Sequence, residues 1–380
     1  MKKLTFLAVL AAMGASGAAN ATSVTLSGVV DTGLTYGWLK TQGEESKDSF
    51  GMVSGGRSGP RLILKAREEI GGGYEALFHL ESGFALDTGT LGQSRRMFGR
   101  EARLSLKTPY GMASAGRMGG FTAGMGTYDW FGQAGDAFDG GWSGAIDVAN
   151  WFVRNRYDNM LVYETPEMNG FTAAVQYSLS IDGVKGHDDA LSGTHSKDRY
   201  AAAALFYRGT SLDAVLAADT ILRRDSNPTG AAIPEGLRED ARAVSAAVRL
   251  RLTDITLNAG IQVGTGETGS FMINSPHDTL TTPAGESVTD KGFTVSLGAS
   301  APVPVGKVIG AVYYGRIKAD TEERQINDNI NAVLAYEYPL GPRSILYTAV
   351  AYKHARARTN EGTFDREITV TGLAGLTHRF

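Results

Sequence analysis

The chain has 380 residues, a formal charge of -3 and no cysteine. The missing cysteine excludes a disulfide framework, thiol chemistry and cysteine-ligated metal, and the mild acidity argues against a nucleic-acid partner. Hydrophobic residues make up 42% of the chain and charged residues 20%, yet its only long apolar run lies at the N-terminus.

In that run Lys2 and Lys3 precede an apolar stretch from Leu4 to Leu10, then small residues and Ala19-Asn20-Ala21. A basic start, a short apolar core and an A-x-A end predict a secretory signal peptide over 1–21, cleaved after Ala21. The run is too short for a spanning helix, which needs about 20 residues. The mature chain, 22–380, is then one unit.

From Ser23 onward the signal is alternation with period two. Val24, Leu26, Gly28, Val30, Leu34, Tyr36 and Trp38 share one face, and Ser23, Thr25, Ser27, Asp31 and Thr35 share the other. Further on, Phe171, Ala173, Val175 and Tyr177 alternate with Thr172, Gln176 and Ser178. Ile255, Leu257, Ala259, Ile261 and Val263 alternate with Thr256, Asn258 and Gln262, and Phe293, Val295 and Leu297 with Thr294 and Ser296. Each run has about ten residues, the length of a tilted strand crossing a bilayer. Two segments, 200–208 and 344–354, have no clean polar face and are assigned as strands by their spacing.

Short turns, most of them carrying Gly or Pro, fall at 70–74 (IGGGY), 108–111 (TPYG), 166–170 (PEMNG), 208–211 (RGTS), 252–255 (LTDI), 302–307 (PVPVGK) and 339–343 (PLGPR). Between them run longer polar connections at 40–59, 83–96, 118–158, 181–197, 223–239, 264–290, 318–326 and 355–366. Seven short and eight long connections join sixteen strands. In lipid only a helix or a closed barrel satisfies every backbone polar group. The pattern therefore predicts an all-β fold: a transmembrane antiparallel β-barrel of 16 strands with short periplasmic turns and long extracellular loops. Sixteen strands leave an open aqueous lumen. A soluble sandwich also alternates but needs no such asymmetry of connections.

The opening SVTLSGVVDTGLTY, the hairpin PRLILKAREEIGGGYEALFHLESGF, the segment RNRYDNMLVYETPEMNGFTAAVQYS, the hairpin YEYPLGPRSILYTAVAY and the ending GLTHRF resemble the Gram-negative trimeric porins of the β-proteobacterial type, over essentially the whole mature chain. The resemblance implies a homotrimer in the outer membrane, packed through lipid-facing strands near the termini. It implies passive diffusion of small hydrophilic solutes and ions, with no cofactor. It also implies that Phe380 is the C-terminal aromatic read by the barrel assembly machinery, and that the third long loop, 118–158, folds inward and narrows the pore. One stretch departs from the family's more apolar pattern: FGREARLSL places Glu101 and Arg103 toward the lumen, with Ala102, Leu104 and Leu106 toward lipid.

On that loop Asp136, Asp139 and Asp147 are the candidate acidic constriction residues; Asp129 lies nearer its entrance. The candidate basic wall is Arg61, Lys65, Arg67, Arg100, Arg103 and Arg117. Parity places Arg61, Lys65 and Arg67 in the lumen, because a cation facing lipid at mid-depth costs about 2–4 kcal/mol. Arg100 has the opposite parity to Arg103 and joins the wall only if the strand begins after it. Opposed rows of charge would tune ion selectivity. No catalytic motif appears: His79 reads as alone on its strand, 71–73 lacks the Lys of a phosphate loop, and no metal site is expected. Rival readings are a substrate-specific channel, with saturable flux, and a structural or adhesive barrel, with no conductance.

Overall fold

The computed structural model describes residues 23–138, 141–142, 155–181, 198–223, 240–267, 289–319, 326–358 and 364–380. The predicted signal peptide lies outside them. So do Asp139 and Asp147.

Seventeen strands appear in chain order, all in one sheet. They are β1 (Ser23–Thr41), β2 (Lys47–Ser54), β3 (Arg61–Gly71), β4 (Tyr74–Gly83), β5 (Glu101–Thr108), β6 (Gly111–Gly119), β7 (Arg156–Glu164), β8 (Phe171–Ser178) and β9 (Arg199–Arg208). The remainder are β10 (Leu212–Leu222), β11 (Ala241–Arg251), β12 (Thr256–Glu267), β13 (Thr289–Pro302), β14 (Lys307–Ala319), β15 (Ile326–Pro339), β16 (Ser344–Arg358) and β17 (Phe364–Arg379). Every sequential pair from β3 to β17 is antiparallel. β1 pairs with β17 along one edge, Val29 opposite Arg379 through Thr41 opposite Glu367, and this closes the barrel.

Along its other edge β1 pairs first with β3 and then with β2. Thus β2 and β3 are two halves of one stave, and the seventeen segments make sixteen staves. This corrects one detail of the sequence reading, in which 40–59 is a single loop. Phe50 (73% exposed) and Met52 (62%) continue the outward apolar pattern across β2. The polar run before it, Gln42 to Asp48, hides that short alternation. The seven predicted turns each join two strands of the barrel.

The break between β2 and β3 is held by a buried carboxylate. Asp31 on β1 is fully buried. It accepts from the backbone N–H groups of Arg57 (3.4 Å) and Ser58 (3.2 Å), from the Tyr347 hydroxyl (2.7 Å) and from the Thr377 hydroxyl. One side chain therefore ties β1, the β2–β3 break, β16 and β17 at the closing seam. Asp31→Ala would strand four donors, each costing about 1–3 kcal/mol when buried without a partner. We expect a folded barrel whose melting temperature, read from the loss of its folded electrophoretic mobility on heating, falls by about 10 °C or more. An unchanged transition would show that the seam does not depend on this carboxylate.

The two faces differ as a membrane barrel requires. On β14, Ile309, Ala311, Tyr313 and Ile317 are buried while Val312 is exposed; on β10, Val215, Ala217 and Ile221 are buried while Leu216 is exposed. Exposed apolar side chains alternate with inward ones around the sheet, including Leu104, Leu161, Val175, Val263, Leu297, Leu334 and Val350. An outward belt of this kind faces lipid.

Candidate functional site

The inner wall carries two distinct surfaces. The first is where the third long loop lies. Its helix, α1 (Trp130–Gly135), is capped by Asp129, whose carboxylate accepts from the Gly132 N–H (3.1 Å). Trp130 stacks on Phe206 of β9, with ring centroids 5.6 Å apart. Asn258 of β12 donates to the Ala134 carbonyl (2.8 Å), and Ser296 of β13 to the Gly135 carbonyl (3.0 Å). Tyr313 of β14 donates to Asp136 (2.7 Å). Further on, the Trp142 ring meets Tyr347 of β16, and the Trp142 backbone N–H donates to the Arg57 carbonyl (3.0 Å). The loop's described residues thus run around the inner wall from β9 to β16.

The second surface is charged and built on β3, β4 and β5, with Arg156 at the start of β7. Register places Lys65 opposite His79 and His79 opposite Arg103, and places Ile63 opposite Glu81 and Glu81 opposite Glu101. Arg100 donates to Glu81 at 2.5 Å, and Arg61 lies 3.5 Å from the same carboxylate. Arg103 donates to Glu101 (2.8 Å) and to Ser105 (2.9 Å), and stands over the Tyr128 ring from the loop. Thr127, also from the loop, donates to Glu101 at 2.9 Å. A recess of about 300 Å³ opens between Thr25, Lys65, His79 and Arg103. α1 packs against β10, β11 and β12. In a closed ring of sixteen staves those lie across the lumen from β1, β3 and β4, so the basic surface faces the loop.

Most of the predicted basic wall comes together here. Arg61, Lys65 and Arg103 share this surface, and β5 begins at Glu101, so Arg100 joins them through Glu81. Arg67 lines the same recess toward the short-turn end, paired with Glu75 at 2.8 Å and Glu69 at 3.5 Å. One predicted member lies elsewhere. Arg117 donates to Asp158 (2.5 Å) and to the Gly99 carbonyl (2.8 Å), with Arg96 on the same carboxylate at 2.7 Å. The cause is plain alternation along β6: its regular pairing with β5 puts Arg117 opposite Ala102, on the parity of Leu104. Gly116 has φ +140, and an added Cβ would sit 2.0 Å from the Ala102 carbonyl, so only glycine fits this turn of the strand.

Asp136 also differs from expectation. It is 1% exposed and accepts from the Tyr313 hydroxyl and the Phe138 N–H (2.9 Å). It fastens the loop to the wall and does not stand in water opposite the basic row.

Alternation alone leaves Glu81 without a role and His79 solitary on its strand. His79 is buried between Glu81 and Glu101, with each ring nitrogen 3.3 Å from a carboxylate oxygen. These three offer ligand atoms within 4.8 Å of one another. Arg61, Arg100 and Arg103 crowd the same oxygens, and their positive charge opposes a cation there. The cluster is therefore an ion-pair network within the described residues. Phe380 continues the β1–β17 seam: its N–H donates to the Gly28 carbonyl (3.1 Å), and its own carbonyl accepts from the Gly28 N–H (3.0 Å). Its ring remains half exposed.

A family model described as Gram-negative porin matches residues 7–358. The chain belongs to that family. It is 30% identical to an outer membrane porin protein of Bordetella pertussis, over the full length of both chains. It is 28% identical to outer membrane porin protein 32 of Delftia acidovorans, covering 92% of this chain and 89% of that one. Among solved structures, an anion-selective porin from Comamonas acidovorans superposes with a TM-score of 0.66 at 21% identity, covering 95% of this chain and all of the other. The porin is thus a β-barrel channel of the outer membrane, a conduit for passive diffusion. Its strands cross the membrane; among the described residues no helix is long and apolar enough to do so.

Proposed function

We propose that this channel is a homotrimeric general porin that prefers anions, with its third loop narrowing the lumen against the basic surface of β3–β5. The carrying observation is an imbalance of charge. Arg61, Lys65, Arg100, Arg103 and Arg156 face the lumen from this side, against two carboxylates, Glu81 and Glu101, which are already paired. The one described loop acid predicted to oppose them, Asp136, is sequestered by Tyr313. Fixed charges lining a low-dielectric passage select counter-ions. The anion selectivity named for the Comamonas acidovorans porin points the same way. Trimer packing is supported by the exposed apolar faces near the termini, where Val24, Leu26, Phe50 and Met52 are each more than 60% exposed. The half-exposed ring of Phe380 suits recognition by the assembly machinery.

The test is planar-bilayer recording of the refolded, signal-free chain under a tenfold KCl gradient. Ohmic openings in groups of three, with a reversal potential on the chloride side, are expected. A cation-side potential would overturn the anion preference, and openings that never group in threes would overturn the trimer. Saturating flux would favour a substrate-specific channel, and a silent but inserted barrel a structural one.

A further inference from the structure

Histidine is the side chain whose charge ordinarily changes between about pH 5 and about pH 8. One histidine of this barrel stands among the charges that line the passage. In the register His79 of β4 lies opposite Lys65 of β3 on one side and opposite Arg103 of β5 on the other. Its ring nitrogens lie 3.3 Å from Glu81 and 3.3 Å from Glu101, and neither buried nitrogen has another polar partner. A neutral imidazole carries one N–H and one lone pair. Between two carboxylates that lone pair would face an anion. Only the imidazolium presents an N–H to each, so the seat suits the charged ring.

The groups around it ordinarily keep their charge across that range. β3 contributes Lys65, then Arg61, which is 3.5 Å from Glu81, and Arg67, which is paired with Glu75 and Glu69. β4 contributes Glu81, and β5 contributes Glu101 and Arg103. Arg100, just before β5, donates to Glu81 (2.5 Å), and Arg156 of β7 adds to the positive field. The loop brings Thr127 and Tyr128, and β1 brings the hydroxyls of Ser23 and Thr25. Both carboxylates are held without the histidine: Glu81 by Arg100 and Arg61, and Glu101 by Arg103 (2.8 Å) and Thr127 (2.9 Å). The proton can therefore leave His79 while the wall stays in place. His79 also lines the recess between Lys65 and Arg103, so its charge acts on an ion passing within a Debye length of about 10 Å.

We propose that His79 is a proton-dependent specificity-determining residue, which rests on the anion-selective reading of the β3–β5 surface: with its proton the ring adds one cation to that surface, and without it the preference for anions weakens. The other charges facing the lumen there sum to about +3, so the proton raises the fixed charge by about a third. As pH rises through the titration of His79, the anion-to-cation permeability ratio falls; as pH drops, it rises.

The experiment is the reversal potential of the refolded, signal-free porin in planar bilayers under a fixed KCl gradient, at steps from about pH 5 to about pH 9. The wild-type permeability ratio is expected to fall about twofold along a single one-proton step. His79→Gln, uncharged throughout, is expected to give a flat profile at the wild-type high-pH value. His79→Lys, charged throughout, is expected to give a flat profile at the wild-type low-pH value. Folding of each is read from its electrophoretic mobility before and after heating, and either variant alone carries the test if the other does not fold. A wild-type ratio that does not move with pH overturns the proposal. So does a step of undiminished size in a folded variant, which would place the titrating group elsewhere. A step that vanishes in His79→Gln, on a channel that prefers cations at every pH, upholds the role of His79 and overturns the anion preference. A steady anion preference with no step does the reverse.

Discussion

A Lys65→Glu, Arg103→Gln double variant is expected to lose the channel's preference for anions. Five cations and two carboxylates leave the β3–β5 surface with a net charge of about +3, and these two changes remove three charges. Lys65 is the better lever because it is exposed and faces the recess beside Arg103, so a glutamate there stays solvated. Arg103 has partners, but Glu101 keeps His79 (3.3 Å) and Thr127 (2.9 Å) when it goes. The wall should therefore remain folded. Screening sets the conditions: at 0.1 M salt the Debye length is about 10 Å, so charges at the narrowing act on a passing ion, while those at the rims hardly do. The anion-to-cation permeability ratio should fall about tenfold, toward unity, in the reversal potential under a KCl gradient. Conductance should change much less. A ratio that stays put would place the selective charges elsewhere along the lumen.

That prediction uses residues whose faces were legible in the sequence, and the contrast with the rest is physical. Alternation encodes which way a side chain points, because the strand period is two. Hence the lumen parity of Arg61 and Lys65, and the lipid parity of Leu104 and Leu106, could be read directly. The two strands with poor alternation have a cause that only the fold reveals. On β9 the inward Phe206 is apolar because Trp130 of the loop stacks on it. On β16 the inward Tyr347 meets Trp142 and Asp31. An inner wall covered by a loop becomes a core, and its polar face disappears from the sequence. Cross-strand neighbours are equally hidden. His79, Glu81 and Glu101 meet only once β4 and β5 pair in register. The outward parity of Arg117, shared with Ala113 and Ala115, was by contrast available in the alternation of its strand.

The loop's fastening gives the last and most discriminating expectation. Replacing Asp136 with leucine while replacing Asn258 with alanine should free α1 from the wall and raise single-channel conductance. Among the polar contacts that hold the loop against the wall are Asn258 to Ala134, Ser296 to Gly135 and Tyr313 to Asp136. A leucine at 136 cannot accept, so the Tyr313 hydroxyl and the Phe138 N–H lose their acceptor. Each buried orphan costs about 1–3 kcal/mol, more than a leucine side chain of this size regains when it is not shaped to the site. Asn258→Ala removes a further hydrogen bond of about 1 kcal/mol and leaves the Ala134 carbonyl unpaired. The barrel itself is held by the ladders of sixteen staves, so its folded mobility on a gel should persist. Water then competes for the loop, and the segment samples positions nearer the lumen axis and away from it. Conductance should become noisy, with a mean raised about twofold if the loop narrows the passage. Asp136→Asn is the control: its carbonyl still accepts from Tyr313, so currents should stay close to wild type. A quiet channel of unchanged conductance from the leucine–alanine variant would mean that Trp130, Ser296 and the remaining contacts hold the loop alone. A lower conductance with quiet openings would mean that the loop, seated as it is, holds the passage open.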